Sequence, residues 1–355
     1  MRNIFLTSLI FIISLYIGFV LAERNPIEND ESYSQHNSIQ KLSYVAILQG
    51  KVQEGNNCPL FYILQKGFGQ ITKFELRTTW VMEQFVCEKS SQWMMRFLPI
   101  VFMSTGIALC FYYFYERYGI LAAFIAAGLF MTTPMTWIYW AQDRPYGLWI
   151  LLTSAQTILL SEYFIFNNKT PAFWCSLTLT HWLLCLCSGF GMAQTLLAYT
   201  LIRKEWLTAF ILPAAVGIFY ALHAPRYHFR VPTEWTGLIF ANLPIERLAL
   251  LVLGAFALKK FIPITLWLSS LLGFGLLLIA SVFHQHTPGI EGFELSARYL
   301  LFLLPASIIV LNIFWLEISK KYANNGLVRL ALIQSFVLIL MLGGWRTVIV
   351  LHRLL

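Results

Sequence analysis

The chain contains only two aspartates, Asp30 and Asp143, and each sits in a group of residues able to do chemistry. Asp30 is followed by Glu31 and preceded by Glu28, in Glu28-Asn29-Asp30-Glu31-Ser32-Tyr33. Asp143 is followed by Arg144, in Gln142-Asp143-Arg144-Pro145-Tyr146. A carboxylate within hydrogen-bond reach of a hydroxyl can act as a general base, and the planar fork of arginine suits bidentate capture of phosphate. Carboxylates at a membrane edge are costly to desolvate and mark pathways, proton relays or catalytic groups. The same residues also serve as ordinary solvated loop acids, and composition leaves both readings open. Asp30, Glu28 and Asp143 are hard oxygen donors of the kind that hold magnesium, manganese or calcium. No His-Cys cluster points to zinc, and His284 and His286, two residues apart, would point to different faces of a helix.

The elements that must position these groups are membrane spans. Of the 355 residues 58% are hydrophobic and 12% charged, whereas soluble proteins carry about 25% charged residues. Mean hydropathy is +0.66. The net charge of +8 is spread as single or paired Lys and Arg between apolar runs, a pattern of topology signals and not of a nucleic-acid groove. Counting runs of roughly 20 apolar residues gives about eleven spans in one all-α, polytopic domain over 1–355, with no separate soluble C-terminal domain. The first, Asn3 to Ala22, reads as a retained span, the alternative being a signal peptide cleaved after Ala22. Further spans are expected over Phe97–Tyr115, Gly119–Ala141, Tyr146–Phe166, two within Thr170–Ile202, then Trp206–Leu222, Leu248–Leu258, Phe261–Phe283, Tyr299–Leu316 and Leu330–Val350.

Between Ala22 and Gln92 lies the one long polar stretch, a first loop too charged to enter lipid. Within it Leu42–Leu48 and Leu60–Phe68 read as helices lying on the membrane surface. With the N-terminus in the cytoplasm, Arg2, Arg117, Lys169, Arg203, Lys204, Lys259, Lys260, Lys320 and Lys321 all fall inside, as the positive-inside rule requires. The 22–92 loop, the Gln142–Tyr146 turn and the loops His223–Arg247 and His284–Arg298 then share the opposite side. Beyond the first loop every Lys is inside, yet Arg144, Arg226, Arg230, Arg247 and Arg298 are outside, where they either snorkel at the interface or bind an anion. Cys110, Cys175, Cys185 and Cys187 fall in apolar runs and read as small hydrophobes. Cys58 and Cys87 share the polar loop and can close it as a disulfide if it faces an oxidising compartment.

The order of these pieces resembles the GT-C membrane glycosyltransferases that use a polyprenyl-phosphate sugar, specifically the protein mannosyltransferase and aminoarabinose transferase relatives. That family opens with a span and then a loop beginning in an Asp-Glu pair followed by an aromatic, matched by Asp30-Glu31-Ser32-Tyr33. Its His-Pro-Pro-Leu-Tyr-Tyr-like patch is matched by Asn57-Cys58-Pro59-Leu60-Phe61-Tyr62, with Asn57 where the family has His. Its Arg at the second span is matched by Arg96, its Gln-Glu-Ala-Arg-Pro-Tyr turn by Gln142-Asp143-Arg144-Pro145-Tyr146 with one residue fewer, and its late Arg-Tyr-Leu-Leu segment by Arg298-Tyr299-Leu300-Leu301. The resemblance covers residues 1 to about 165 and the segment near Arg298.

What the resemblance implies is an inverting transferase active on the extracytoplasmic face; between a bacterial plasma membrane and an endoplasmic reticulum, the small loops and lean architecture favour the bacterial membrane. Asp30 would be the base, Glu31 would orient the acceptor or help to hold a metal, and Arg144 and Arg298 would hold the donor phosphate. Asp143, Tyr146, Tyr299 and Arg96 would support them, with or without a divalent cation held by Asp30, Glu28 and Asp143. The partners would be a polyprenyl-phosphate sugar, a lipid, polysaccharide or protein acceptor, and membrane lipids. Two other classes fit the composition: a transporter or flippase for a lipid-linked or anionic substrate, and a catalytically silent lipid-binding relative. Against transport, the chain has no internal repeat of the kind common in secondary transporters.

Overall fold

Pro134 changes the architecture that hydropathy alone suggests. Proline has no N–H to donate and pushes the preceding residue out of the helical region, and Thr133 accordingly has φ −114 and ψ 115. The single span expected over Gly119–Ala141 is therefore two helices, Ile120–Met131 and Pro134–Tyr139. The computed structural model that shows this describes residues 2–52, 58–75, 79–81, 84–86, 89–202, 207–223, 247, 250–252, 258–284, 301 and 303–354.

In chain order the helices are α1 (Arg2–Arg24), α2 (Asn29–Tyr33), α3 (Tyr44–Leu48), α4 (Leu60–Thr72), α5 (Lys89–Tyr118), α6 (Ile120–Met131), α7 (Pro134–Tyr139), α8 (Tyr146–Phe166), α9 (Pro171–Cys187), α10 (Gly189–Ile202), α11 (Leu207–Leu222), α12 (Ile262–His284), α13 (Leu303–Lys321) and α14 (Gly326–Leu354). A π-helical turn, Ser34–Gln40, continues α2 without a break. A small antiparallel ribbon pairs β1 (Thr79–Val81) with β2 (Gln84–Val86). Helices form near the expected Leu42–Leu48 and Leu60–Phe68 as α3 and α4, the second longer than expected.

Among the described residues five helices are long and apolar enough to cross a bilayer: those beginning at Asn3, Ser90, Tyr146, Leu303 and Gly326. Four apolar helices are shorter, Ile120–Met131, Pro171–Cys187, Gly189–Ile202 and Phe210–Leu222. At 1.5 Å per residue a helix of 12 to 14 residues reaches only about 18–21 Å, short of the hydrocarbon thickness of about 30 Å. The uncharged stretch Thr170–Ile202 thus holds two short helices broken at Ser188, where φ −152 and ψ 140 end α9. The expected span Leu248–Leu258 falls mostly outside the described residues.

Burial sorts the spans. In α13 72% of the apolar window is buried, against 17% in α1 and 18% in α14. α13 is therefore the central post, packed on α8 and α6, whereas α1 and α14 turn residues such as Ile12, Tyr16, Met341 and Trp345 outward, as lipid-facing helices do. Polar side chains tie the interior. Gln194 Oε1 accepts from Trp149 Nε1 at 2.8 Å, and Gln194 Nε2 donates to Thr153 Oγ1 at 3.1 Å and Gln156 Oε1 at 3.2 Å, joining α10 to α8. Such interhelical hydrogen bonds hold helices together where apolar burial gives no preference over lipid.

The helix ends separate as the charge rule requires. At one end Arg117 lies 3.6 Å from Glu162 and 3.7 Å from the Phe166 ring centroid, Lys169 lies over Tyr163, and Glu317 pairs with Lys260 and Lys320. At the other end the α7–α8 turn meets both the first loop and the end of α9. There Tyr220 of α11 donates to Leu48 O at 2.9 Å.

Candidate functional site

The site begins with an arginine whose donors are all occupied. Arg96, one turn before Pro99 in α5, is 1% exposed. Its Nε donates to Glu31 Oε1 at 2.9 Å and its Nη2 to Glu31 Oε2 at 2.6 Å. Its remaining protons go to the carbonyls of Ala22 at 3.0 Å, Asn25 at 2.8 Å and Pro26 at 2.8 Å. Those five bonds match the five N–H groups of a guanidinium, so Arg96 fastens the end of α1 and the start of α2 onto α5. Glu31 is equally engaged, since Oε2 also accepts Glu28 N–H at 3.0 Å and Oε1 accepts Asp143 N–H at 2.6 Å.

That last bond brings the second aspartate in. Asp143 is fully buried between α7 and α8, with Oδ2 accepting from Gln35 Nε2 at 2.5 Å and Oδ1 from Gln65 Nε2 at 2.7 Å. Gln65, on α4, also donates to Met95 O. Burial pushes the Asp143 carboxyl well above the usual carboxylate range; the Gln35 hydrogen bond opposes this, and neighbouring Glu31 adds to it. On either side, Gln142 Nε2 donates to Glu28 Oε1 at 2.7 Å, and Arg144 Nη1 donates to Ser34 Oγ at 2.6 Å and approaches Asp30 O at 3.4 Å. Ser34 Oγ in turn donates to Asp30 O at 2.9 Å. The Asp30 side chain stays exposed beside this assembly.

The structure therefore gathers Glu28, Asp30, Glu31, Arg96, Asp143 and Arg144, which the sequence singled out, and adds Ser34, Gln35, Gln65 and Gln142, which it did not. The only signal for Gln65 was a polar residue, beside Lys66, within the mostly apolar Leu60–Phe68 segment. Tyr146 opens α8 but is buried, its ring 4.8 Å from that of Tyr139 at 64°. Next to it, Gly147 permits close approach of α8 to α5, because a Cβ there would stand 2.5 Å from Pro99 O. Arg247, expected at an outer span end, is 2% exposed and donates to Thr133 Oγ1 at 3.0 Å at the α6–α7 break. Arg298, Tyr299, Asn57 and Cys87 lie outside the described residues. Cys58 is a buried free thiol close to Cys185 and Cys187, and burial raises its pKa.

Among the described residues the side chains of Asp30, Glu28 and Asp143 are not arranged to hold a divalent cation together. Among the described residues no three His, Cys, Asp or Glu side chains are grouped to hold a metal. Both Asp143 oxygens already accept carboxamide protons, which would repel a cation. The candidate set of Asp30, Glu28 and Asp143 is thus not a metal cradle, because Asp143 faces the loop-1 glutamines and not open space.

No family model matches the chain, and no curated protein sequence does. Its architecture is similar to the crystal structure of ArnT from Cupriavidus metallidurans in the apo state, with a TM-score of 0.52 and 12% identity. The similarity covers 94% of this chain and 64% of ArnT, so the chain spans less than two thirds of that protein's length. At fold level this is a multi-pass helical membrane protein with an ArnT-like architecture.

Proposed function

We propose that the protein transfers a sugar from a polyprenyl-phosphate donor to an extracytoplasmic lipid, polysaccharide or protein acceptor in a bacterial plasma membrane. One observation carries the reading: Asp30 is exposed, and its backbone carbonyl lies 3.4 Å from an Arg144 guanidinium that donates to Ser34, on an ArnT-like fold. In this mechanism Asp30 takes the proton of the acceptor hydroxyl as its oxygen bonds to the anomeric carbon. The bond from that carbon to the phosphate oxygen breaks, the configuration inverts, and the lipid phosphate leaves with the negative charge. Arg144 stabilises that charge from a fixed position at the membrane edge, where such a group needs no reorganisation during the reaction. Arg298 is proposed as a second phosphate ligand and Tyr299 as its neighbour. Glu31 and Arg96 set the position of Asp30 and its neighbours without touching substrate, and Asp143 and Tyr146 form the supporting wall.

The test is transfer of radiolabelled sugar from a panel of polyprenyl-phosphate sugars in proteoliposomes with membrane-extract acceptors. Asp30→Asn should lose transfer by at least ~100-fold while remaining folded, because Asp30 is exposed. A folded wild type that consumes no donor refutes the reading. Translocation of lipid-linked sugars would then be the activity to assay.

A further inference from the structure

Four consecutive contacts run along one side of the segment from Glu28 to Gln35. Glu28 holds Gln142, Glu31 holds the Asp143 amide, Ser34 holds Arg144, and Gln35 holds the Asp143 carboxyl. The spacing of 28, 31, 34 and 35 is that of one helical face, and Asp30, on a neighbouring face, remains exposed. The last two contacts come from the start of the π-helical turn, where Ser34 and Gln35 are both buried. Single π turns interrupt α-helices frequently at functional sites, and here the turn begins at the residue that touches the arginine.

From this we infer that Ser34 is a positioning residue: its hydroxyl orients the Arg144 guanidinium toward the donor phosphate and ties it to the backbone of the proposed base. The geometry is a relay in which Arg144 Nη1 donates to Ser34 Oγ at 2.6 Å and Ser34 Oγ donates to Asp30 O at 2.9 Å. Donating its own proton to Asp30 leaves the oxygen lone pairs free to accept from the cation, so the hydroxyl is used in both directions. Without it Arg144 keeps its charge and its 3.4 Å approach to Asp30 O but loses the 2.6 Å contact to the hydroxyl. A flexible guanidinium still attracts an anion, yet it supports a developing phosphate charge less well than a fixed one. Ser34 therefore acts on turnover through Arg144 more than on donor affinity, and it defines the donor's phosphate as the group this side of the site reads.

The inference rests on the glycosyltransferase reading, and the experiment separates the two. Wild type, Ser34→Ala, Ser34→Thr, Arg144→Ala and the Ser34→Ala/Arg144→Ala double variant are reconstituted. kcat and KM are measured with whichever polyprenyl-phosphate sugar the wild type consumes, and binding of decaprenyl monophosphate is measured in parallel. Ser34→Ala should lower kcat about tenfold with KM changed less than about twofold. Ser34→Thr should restore most of the rate, and the double variant should match Arg144→Ala alone because Ser34 has nothing left to orient. If Ser34→Ala is poorly folded, Ser34→Cys, of similar volume but a weak acceptor, takes its place. Multiplying losses in the double variant, or a wild-type kcat in Ser34→Ala, overturn the positioning role while leaving the transferase reading intact. A wild type that transfers no sugar and binds no prenyl phosphate overturns both.

Discussion

Arg96→Met offers the sharpest test of how the site is held. The substitution keeps an unbranched stem of similar length but removes five N–H donors at once, two of them on Glu31. Glu31 is 0% exposed and would keep only the Glu28 and Asp143 backbone donors, leaving a buried carboxylate without its cation. Removing one partner of a buried pair costs about 3–5 kcal/mol, which at about 1.4 kcal/mol per decade lowers the folded-to-unfolded ratio by roughly 10² to 10⁴. Glu31→Gln strands the arginine in the same way. The double variant Arg96→Met/Glu31→Gln has no uncompensated charge, so it should be more stable than either single change, a coupling of at least ~2 kcal/mol. The assay is the temperature at which purified protein loses its monodisperse peak, ranked across the four proteins. Wild type should be highest, the double variant next, and the single variants lowest. Arg96→Met at the wild-type midpoint, or a double variant below both singles, refutes the argument that this ion pair fastens α1, α2 and α5 together.

Other substitutions probe neighbouring contacts. Gly147→Ala places a Cβ 2.5 Å from the Pro99 carbonyl, backbone that cannot rotate away, and should cost ~1–3 kcal/mol. Gly128→Ala, whose Cβ meets nothing within 4 Å, is the control expected to keep the wild-type melting temperature. Because the Asp143 carboxyl is held well above its ordinary value of 3.8, it stays protonated in the folded chain at pH values where the unfolded chain has ionised. The stability it contributes is complete below the ordinary value and is lost as pH rises through the folded one. Melting temperature measured against pH should fall across that window, and Asp143→Asn should flatten the slope; an identical slope in the variant would show that another group is responsible.

Much of this could be read from residue types. Apolar runs located α1 and α8 closely and α5 and α13 with ends displaced by up to eight residues, because a helix in lipid must satisfy its own backbone and announces itself by length and hydropathy. The placing of Lys and Arg sorted the helix ends, since charge near a membrane is a local signal independent of packing. The Asp30-Glu31 and Asp143-Arg144 pairs stood out because charged residues are few. The broken span at Pro134 was legible too, yet the uninterrupted hydropathy of Gly119–Ala141 outweighed it, because an average over twenty residues hides a single missing N–H.

Which residue does what was decided only by tertiary structure. Sequence marked Glu31 as chemically equivalent to Asp30, but one is sealed against Arg96 and the other faces outward, a difference set by which side of a five-residue helix meets α5. Arg96 and Arg144 look alike as arginines beside spans. In the fold one has spent every donor on carbonyls and a carboxylate, while the other is held by a serine ten residues from the end of α1. Gln35 and Gln65 gave little sign in the sequence, because a neutral carboxamide gains its importance only from what it faces, here the buried Asp143 carboxyl brought from more than seventy residues away. Composition and charge fix what must lie in the membrane and which helix ends group together, because those are properties of segments. Partners across long loops are fixed by packing, because a hydrogen bond depends on distance and direction that no single segment contains.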